Sequence, residues 1–213
     1  MTTSTTPTKK LPLLALAIGL TFGAVGAGVV VVQQLQSVKM GPILADVGPW
    51  TLTAHDDKAF GSADLKGKVW VGNFIFTRCA MSCPMLTAAL KDVSDHVDDD
   101  GVRFVSFTVD PEFDTPQVLS TYRQGVNADD RWTFVTGSVD DVHGLLRHKM
   151  FAHVGEKVER PGADKGDVLI DIAHLQKLAL FDKQGRLRAT ASVDDEGKAL
   201  LQKQVAALLA EDS

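Results

Sequence analysis

Residues 74–84 read FIFTRCAMSCP and contain the only two cysteines of the 213-residue chain, Cys79 and Cys83. The segment from Val69 to Phe76 is rich in β-branched and aromatic residues and nearly free of polar ones. Such a composition is typical of a central strand that is covered on both faces. From Pro84 onward the apolar residues recur at helical spacing, and a proline fits the first turn of a helix. The sequence therefore predicts a strand-to-helix turn that presents two sulfurs beside a helix N-terminus.

Strands and helices are predicted to alternate around this turn. The patterns predict a short edge strand at 50–53, strands at 102–109 and 132–135, helices at 84–97, 116–125 and 140–151, and a hairpin of 175–181 with 186–192 before a closing helix. Residues 154–167 are polar and rich in glycine, which predicts an exposed excursion. Early strands that alternate with helices imply parallel crossovers, and the final hairpin adds an antiparallel edge. The predicted fold class is α/β, with a thioredoxin-like mixed central sheet and flanking helices.

The N-terminus is predicted to hold the chain in a membrane. Lys9 and Lys10 precede the 22 uncharged residues from Leu11 to Val32. As a helix these residues would be about 33 Å long, enough to cross a bilayer core of about 30 Å. A cleavable signal peptide has a shorter apolar core, of about 7–15 residues. The basic residues place the N-terminal side in the cytoplasm or matrix, and the rest in the periplasm or, in a mitochondrion, the intermembrane space. We predict a tail at 1–10, a single-pass inner-membrane transmembrane anchor at 11–33, a tether at 34–48 and one folded domain at 49–213.

The charge balance argues against one class of partner. Basic residues number 22 and acidic residues 27, which gives a formal net charge of −5. Nucleic-acid binding depends on neutralising phosphates with a basic surface. We therefore predict no nucleic-acid partner.

The position of the two cysteines favours thiolate chemistry. Amide donors and the dipole at a helix N-terminus stabilise an anion, and cysteines there have thiolate pKa values of about 3.5–7.5. The adjacent Arg78 could add to this effect. A thiolate is both a nucleophile and a soft metal ligand. A structural disulfide is a poor explanation, because such a short loop removes little entropy from the unfolded chain.

Spacing separates the two kinds of chemistry. A thioredoxin-type oxidoreductase has two residues between its cysteines, whereas Cys79 and Cys83 have three. Sulfurs four positions apart at a helix start lie on one side of the turn, close enough to chelate one ion. Two thiolates suit Cu(I), and added imidazole nitrogen suits Cu(II). A closed structural zinc site would need four ligands.

A third ligand has six histidine candidates: His55, His96, His143, His148, His153 and His174. His174 is distinct because it lies between an apolar segment and the hairpin, where a thioredoxin-like fold brings a loop against the helix start. Oxidoreductases of that fold usually place a cis-proline there, and this chain has no proline after Pro161. Met85 is predicted to pack under the helix. Met81, between the cysteines, stays open as a further soft ligand.

Three motifs resemble those of the SCO/SenC family of copper chaperones. Asn73–Pro84 resembles the family's cysteine motif, Val109–Pro116 (VDPEFDTP) its second signature, and Arg131–Ser138 (RWTFVTGS) its third. The resemblance covers about residues 48–210, and the N-terminal anchor precedes it in the family's order. It implies a redox-active dithiol at Cys79 and Cys83.

The resemblance also implies a metal site and partners. Cys79, Cys83 and His174 would bind copper as Cu(I) or Cu(II). The protein would deliver copper or reducing equivalents to the dinuclear copper centre in subunit II of cytochrome c oxidase. Other copper chaperones or thiol reductases would be further partners.

Two positions depart from the family's pattern. Ala80 stands where the family typically has proline, and Ala173 stands where it typically has aspartate. An acid beside a ligating histidine can fix its tautomer, so its loss could weaken Cu(II) binding or shift the redox balance.

An enzyme of the same fold is the main alternative, either a thiol–disulfide reductase or a peroxide-reducing protein. Thr77, two residues before Cys79, loosely resembles a peroxidatic site, although the proline expected upstream is absent. A structural assembly factor with incidental cysteines is a third hypothesis.

Overall fold

The computed structural model describes residues 38–79, 82–161 and 168–211. Its elements in chain order are β1 (Ala45–Asp46), β2 (Thr51–Ala54), β3 (Ala59–Gly61), β4 (Val69–Ile75), α1 (Ser82–His96), β5 (Val102–Thr108), α2 (Pro116–Gly125), β6 (Trp132–Thr136), α3 (Val139–Gly144), β7 (Val154–Pro161), β8 (Val168–His174), β9 (Leu178–Phe181), β10 (Arg186–Ala191) and α4 (Asp195–Ala210). The predicted tail at 1–10 and transmembrane anchor at 11–33 lie outside the described residues. Of the helices in the described part, none has the length and apolar character to span a bilayer.

The strand that leads to the cysteines lies inside a mixed sheet. The strand order in the described residues is β1-β10-β9-β4-β5-β6-β2-β3. β4 pairs in parallel with β5, and β5 with β6, while β9 runs antiparallel to β4. Every residue of β4 is buried, in agreement with its apolar sequence. The predicted mixed central sheet with flanking helices is confirmed.

Contacts between helices show how they cover the sheet. On α1, the hydroxyl of Thr87 lies 3.0 Å from the hydroxyl of Tyr122 on α2. Asp92 of α1 forms an ion pair of 2.7 Å with Lys198 of α4. These three helices therefore lie together on one side of the sheet, and α1 brings its N-terminus to the end of β4.

Local signals set several element boundaries as predicted. The Thr115 hydroxyl accepts a hydrogen bond from the Val118 amide at the start of α2. The Ser138 hydroxyl accepts one from the Asp141 amide at the start of α3. A capping side chain satisfies an amide that has no partner within the helix. Gly185 turns the β9–β10 hairpin at φ +78°, a conformation that costs glycine little.

The exposed excursion predicted at 154–167 contains β7, a strand over 154–161 that the sequence pattern did not predict. β7 pairs with β8 in a separate two-stranded antiparallel sheet. Six of the eight residues of β7 are exposed, so the strand has no apolar alternation to mark it. Its backbone pairing, which the sequence pattern does not encode, makes it a strand.

Smaller differences occur elsewhere. β2 is not an edge strand, because it pairs with β6 on one side and β3 on the other. The third helix changes to π-helical geometry over Leu145–Lys149. Ala45–Asp46, within the segment predicted as a tether, pair with Leu187 and Arg186 of β10.

Candidate metal centre

The two cysteines lie where β4 passes into α1. Cys79 is half-buried in the connecting turn, and Cys83 in the first turn of α1 is 1% exposed. The backbone N–H of Cys83 donates to the Cys79 sulfur across 3.3 Å. A helix N-terminal amide directed at a sulfur favours its thiolate form. The predicted strand-to-helix turn therefore supplies the expected anion-stabilising contact to Cys79.

His174 reaches the same place from the β7–β8 hairpin. It is the last residue of β8, and its Nε2 lies 3.6 Å from the Cys83 sulfur. Its Nδ1 lies 2.7 Å from the carbonyl oxygen of Ile172. A carbonyl oxygen only accepts, so Nδ1 carries the hydrogen and the Nε2 of the neutral ring keeps its lone pair. Burial lowers the pKa of His174, which favours that neutral ring.

The surroundings also fix the orientation of the His174 ring. Phe76 is buried and packs edge-to-face against it, with centroids 5.7 Å apart and planes at 82°. The Ile172 carbonyl fixes the tautomer, which an aspartate at position 173 was expected to do. Ala173 itself is exposed. The departure at this position therefore leaves His174 with a defined donor atom.

A buried carboxyl group holds the residues that precede Cys79. Asp114 is 0% exposed, and it accepts hydrogen bonds from the Thr77 amide at 3.1 Å and from the Thr77 and Thr108 hydroxyls. Burial raises the pKa of Asp114, and the hydrogen bonds from both threonines oppose this only in part. In the sequence, Asp114 stands in the VDPEFDTP signature, which by itself gives it no role. The structure shows it under the cysteine turn.

A second buried carboxyl group lies beside the first. Asp110 forms ion pairs with Arg78 and, at 3.0 Å, with Lys157 of β7. The guanidinium of Arg78 also lies over the ring of Phe113, 4.0 Å from its centroid. Arg78, expected to support the cysteine thiolate, is therefore directed to Asp110. A buried salt bridge between distant segments has no local sequence signal.

The other predicted ligands have different surroundings. His143 donates from Nε2 to the Val109 carbonyl oxygen, and His55 accepts at Nδ1 from the Phe134 amide. Met85 is 64% exposed, so the prediction that it packs under the helix is wrong. Met81 lies outside the described residues. Within the described ranges, no group of three or more His, Cys, Asp or Glu side chains is assembled to hold a metal ion.

The arrangement thus brings two predicted ligands together and places the third nearby. Cys83 and His174 are in contact, and Cys79 contacts the amide of Cys83. A soft thiolate and a neutral imidazole nitrogen form a donor set that suits copper in either oxidation state. A nucleophilic thiolate at the half-buried Cys79 would also suit disulfide chemistry.

Comparisons with known proteins point to one family. The family model described as SCO1/SenC matches residues 43–209. The SCO1 protein homolog of Bacillus subtilis is 37% identical over 102 residues, which are 45% of this chain and 51% of that protein. The match therefore spans about half the length of that relative.

Solved structures of similar proteins share the fold. A SCO1/SenC family lipoprotein from Bacillus anthracis superposes with a TM-score of 0.68 at 28% identity, over 80% of this chain and 99% of that one. ScoI of Bradyrhizobium japonicum, solved with copper bound, superposes with a TM-score of 0.60 at 26% identity, over 74% of this chain and 98% of that one. The likeness confirms the thioredoxin-like α/β fold.

Proposed function

Because the chain belongs to the SCO1/SenC family, we propose that it is a copper-binding chaperone for cytochrome c oxidase assembly. Cys79, Cys83 and His174 are the proposed ligands of Cu(I) or Cu(II). The proposed recipient is the dinuclear copper centre of oxidase subunit II, to which the protein supplies copper or reducing equivalents. Other copper chaperones or thiol reductases are the proposed sources of this cargo.

One observation carries the proposal most directly. The Nε2 of His174 lies 3.6 Å from the Cys83 sulfur, and its tautomer is fixed by the Ile172 carbonyl. A histidine that binds metal commonly donates its other ring N–H to a carbonyl or carboxylate group, as this one does. Two thiolates suit Cu(I), and the imidazole nitrogen extends the set to Cu(II). The copper-bound relative from Bradyrhizobium japonicum supports the same metal.

The different exposure of the ligands gives a proposed order of access. Cys83 and His174 are 1% and 8% exposed, whereas Cys79 is half-buried at the turn. A partner's ligand therefore reaches Cys79 before the other two. Binding by all three residues requires the Cys79 side chain to join the Cys83–His174 pair, and we expect the metal to draw it in.

Membrane attachment is part of the proposal. The uncharged run at 11–33 is the proposed single-pass anchor, with the folded domain in the periplasm or the intermembrane space. The similar protein from Bacillus anthracis is described as a lipoprotein, which supports a membrane-attached role. Retention of the full chain in membranes after alkaline extraction, and its loss when 11–33 are deleted, would test this part.

A copper titration of the purified full chain tests the ligand set. We expect one copper per chain both in a titration with Cu(I) in the absence of oxygen and in a titration with Cu(II) in air. Loss of an outer-shell partner typically costs about 10–100-fold in metal affinity. The ligand change His174→Ala should weaken Cu(II) binding by more than that.

The control for the titration is His96→Ala on α1. His96 is an exposed histidine whose Nδ1 contacts its own helix, so its loss should leave copper affinity unchanged. Equal affinity of the wild-type chain and His174→Ala would refute the three-ligand site. Equal losses in both variants would show that the measurement reports non-specific histidine binding.

A thiol–disulfide reductase is the second candidate function. The observation in its favour is the hydrogen bond from the Cys83 amide to the sulfur of the half-buried Cys79, which favours an accessible nucleophile. This function predicts turnover of a disulfide substrate by the metal-free protein, with complete loss in Cys79→Ser. Absence of turnover in metal-free protein would remove this candidate and leave copper binding untouched.

A further inference from the structure

Asp110 joins three segments of the chain at one buried carboxylate. Its side chain is 2% exposed, and it lies two residues after the end of β5. One oxygen pairs with the guanidinium of Arg78, the residue before Cys79. The other accepts a hydrogen bond of 3.0 Å from the ammonium group of Lys157 on β7. The cysteine turn and the histidine hairpin are thus tied to the same residue.

We propose that Asp110 is a positioning residue, which sets the separation between the cysteine turn and the β7–β8 hairpin and so places His174 against Cys83. This inference rests on the proposed function, because the role given to Asp110 is to bring the proposed copper ligands together. Asp110 acts through its two charged partners, Arg78 and Lys157.

The path from Asp110 to His174 is short. In the antiparallel register of the hairpin, Lys157 is the partner of Ile172. Ile172 is the residue whose carbonyl oxygen accepts the hydrogen bond from His174 Nδ1. The ion pair at Lys157 therefore holds the strand directly opposite the group that orients the imidazole.

Near Lys157, the β7–β8 hairpin has few other contacts with the rest of the described chain. The register of the two strands shifts between Val154 and Lys157, so the regular ladder is interrupted between the base of the hairpin and the ion pair. Val154 and Ile172 are buried, and the Arg147 guanidinium donates to the Val154 carbonyl at 2.9 Å. From Glu156 to the end of β7 every residue is exposed. The position of this part of the hairpin consequently depends on Lys157 and its carboxylate partners, the buried Asp110 at 3.0 Å and the exposed Glu112 at 3.4 Å.

Arg78 makes a second contact in addition to its ion pair with Asp110. Arg78 stacks on Phe113 at 4.0 Å, and its Nε is buried without a hydrogen-bond partner among the described residues. Its guanidinium charge is compensated by the Asp110 carboxylate. Removing that carboxylate leaves a partly buried cation unpaired, which favours movement of the turn toward water.

A matched control is available in the second hairpin. Asp182 has a side chain that is 3% exposed and pairs with two arginines, Arg186 and Arg188. Both arginines belong to the β9–β10 hairpin itself. Asp182→Asn therefore removes a buried carboxylate of the same kind from a place that holds no proposed ligand.

The test compares Asp110→Asn and Asp182→Asn in the full chain, with Cu(II) as the probe. We expect Asp110→Asn to lower Cu(II) affinity about tenfold, the lower end of the range for a residue that hydrogen-bonds a ligand directly, because Asp110 acts through Lys157 and Ile172. Its electron paramagnetic resonance spectrum should lose the nitrogen coupling of a bound imidazole. Asp182→Asn should keep both the affinity and the coupling of the wild-type chain.

Variants at Lys157 show whether a loss of Cu(II) affinity comes from the lost ion pair or from a general loss of folding. Its side chain is about a third exposed, so Lys157→Met should fold even if Asp110→Asn does not. We expect Lys157→Met to weaken Cu(II) binding and Lys157→Arg, which keeps the ion pair, to restore it. If Lys157→Met and Asp110→Asn both bind Cu(II) as the wild type does, the proposal is overturned.

A double-mutant cycle identifies the ligand that is affected. If Asp110 acts by placing His174, the change His174→Ala should cost much less in the Asp110→Asn background than in the wild type. Independent, additive losses would overturn the proposal, because Asp110 would then act without His174.

A metal-free measurement separates failure of this inference from failure of the proposed function. Unchanged affinity in His174→Ala would refute the ligand set, and hydrogen exchange of the metal-free chain then decides the role of Asp110. We expect Asp110→Asn to accelerate amide exchange in β7 and β8 but not in β9 and β10, and Asp182→Asn to do the reverse. Wild-type exchange rates in β7 and β8 of Asp110→Asn would overturn the proposal on their own.

Discussion

The two hairpins of this protein, β7–β8 and β9–β10, are built in opposite ways. All four residues of β9 are buried, and Phe181 stacks on Trp70 of β4 with ring centroids 3.6 Å apart. β7 has six exposed residues out of eight and pairs only with β8 within the described residues. The β9–β10 hairpin is part of the core. The β7–β8 hairpin lies outside the central sheet and carries the proposed ligand His174.

The aspartates that tie the two hairpins show the same contrast. Asp182 finds its partners within its own hairpin, because Arg186, Arg188 and the Gln184 amide all donate to it. Asp110 finds its partners 32 and 47 residues away along the chain. Asp182 thus forms its ion pairs within the β9–β10 hairpin. Asp110 instead connects the β7–β8 hairpin, which carries His174, to the cysteine turn.

The largest expected effect concerns the buried β9–β10 hairpin. Phe181→Ala removes a fully buried ring, and such changes cost about 3–5 kcal/mol of unfolding free energy. Leu169→Ala on β8 removes a side chain that is 40% exposed and should cost less than about 0.5 kcal/mol. Urea denaturation of the metal-free chain measures both. Comparable losses would show that β7–β8 is packed as firmly as β9–β10.

A smaller loss is expected for the local ion pairs of Asp182. Removing one partner of a fully buried pair costs about 3–5 kcal/mol. We expect about 2–3 kcal/mol for Asp182→Asn, because the Arg186 side chain stays about a third exposed. The same urea experiment at pH 7 measures this loss. A loss below that of Leu169→Ala would mean that the turn is held by its backbone alone.

The pH dependence of Asp182 follows from the same contacts. Burial alone would raise the pKa of Asp182, but hydrogen bonds from Arg186, Arg188 and the turn amides outweigh it and leave the pKa below its ordinary value of 3.8. A carboxyl group with a lowered folded-state pKa stabilises above its unfolded pKa, and that stability is lost as the pH falls through the folded value. The difference in stability between the wild type and Asp182→Asn should therefore shrink below about pH 4.

Asp114 should show the opposite sign and a smaller effect. Burial raises the pKa of Asp114, whose donors are the uncharged Thr77 and Thr108. A raised folded-state pKa means that stability falls as the pH rises from the unfolded value of 3.8 through the folded value. We expect Asp114→Asn to cost about 1 kcal/mol in acid, typical of a lost hydrogen bond, and less at higher pH. Denaturation curves between pH 3 and 8 test this, and a cost that grows with pH would contradict it.

The contrast between the hairpins also explains what the sequence could predict. β4 and the β9–β10 hairpin carry local signals, namely a nearly apolar run and the Asp182–Gly185 turn. β7 carries no such signal, because a strand with exposed side chains on both faces has no apolar period. The fold class and the cysteine turn were therefore predictable, and the hairpin that bears His174 was not.

The site was predictable to a similar extent. The family motifs and the predicted topology brought His174 to the cysteines, and the structure places it against Cys83. Its orientation by the Ile172 carbonyl was not predictable, because every residue has a carbonyl group and only the fold selects one. The Asp110 bridge was missed for a related reason, since 47 residues separate Asp110 from Lys157.

The smallest expected effect concerns Ala173, where the family pattern has aspartate. The role assigned to that aspartate was to fix the histidine tautomer, and the Ile172 carbonyl already does so at 2.7 Å. Ala173 is exposed, so a carboxylate placed there would be largely screened by solvent. We therefore expect Ala173→Asp to change Cu(II) affinity by less than about tenfold, which corresponds to about 1.4 kcal/mol.

The uncharged Ala173→Asn is the matched control for that titration, because it has the same shape without the charge. A small gain in Ala173→Asp alone would reflect charge attraction to Cu(II). A gain well above tenfold would show that the backbone carbonyl does not replace the acid. The hairpin that lies outside the core would then depend on side-chain chemistry for the orientation of His174 as well as for its position.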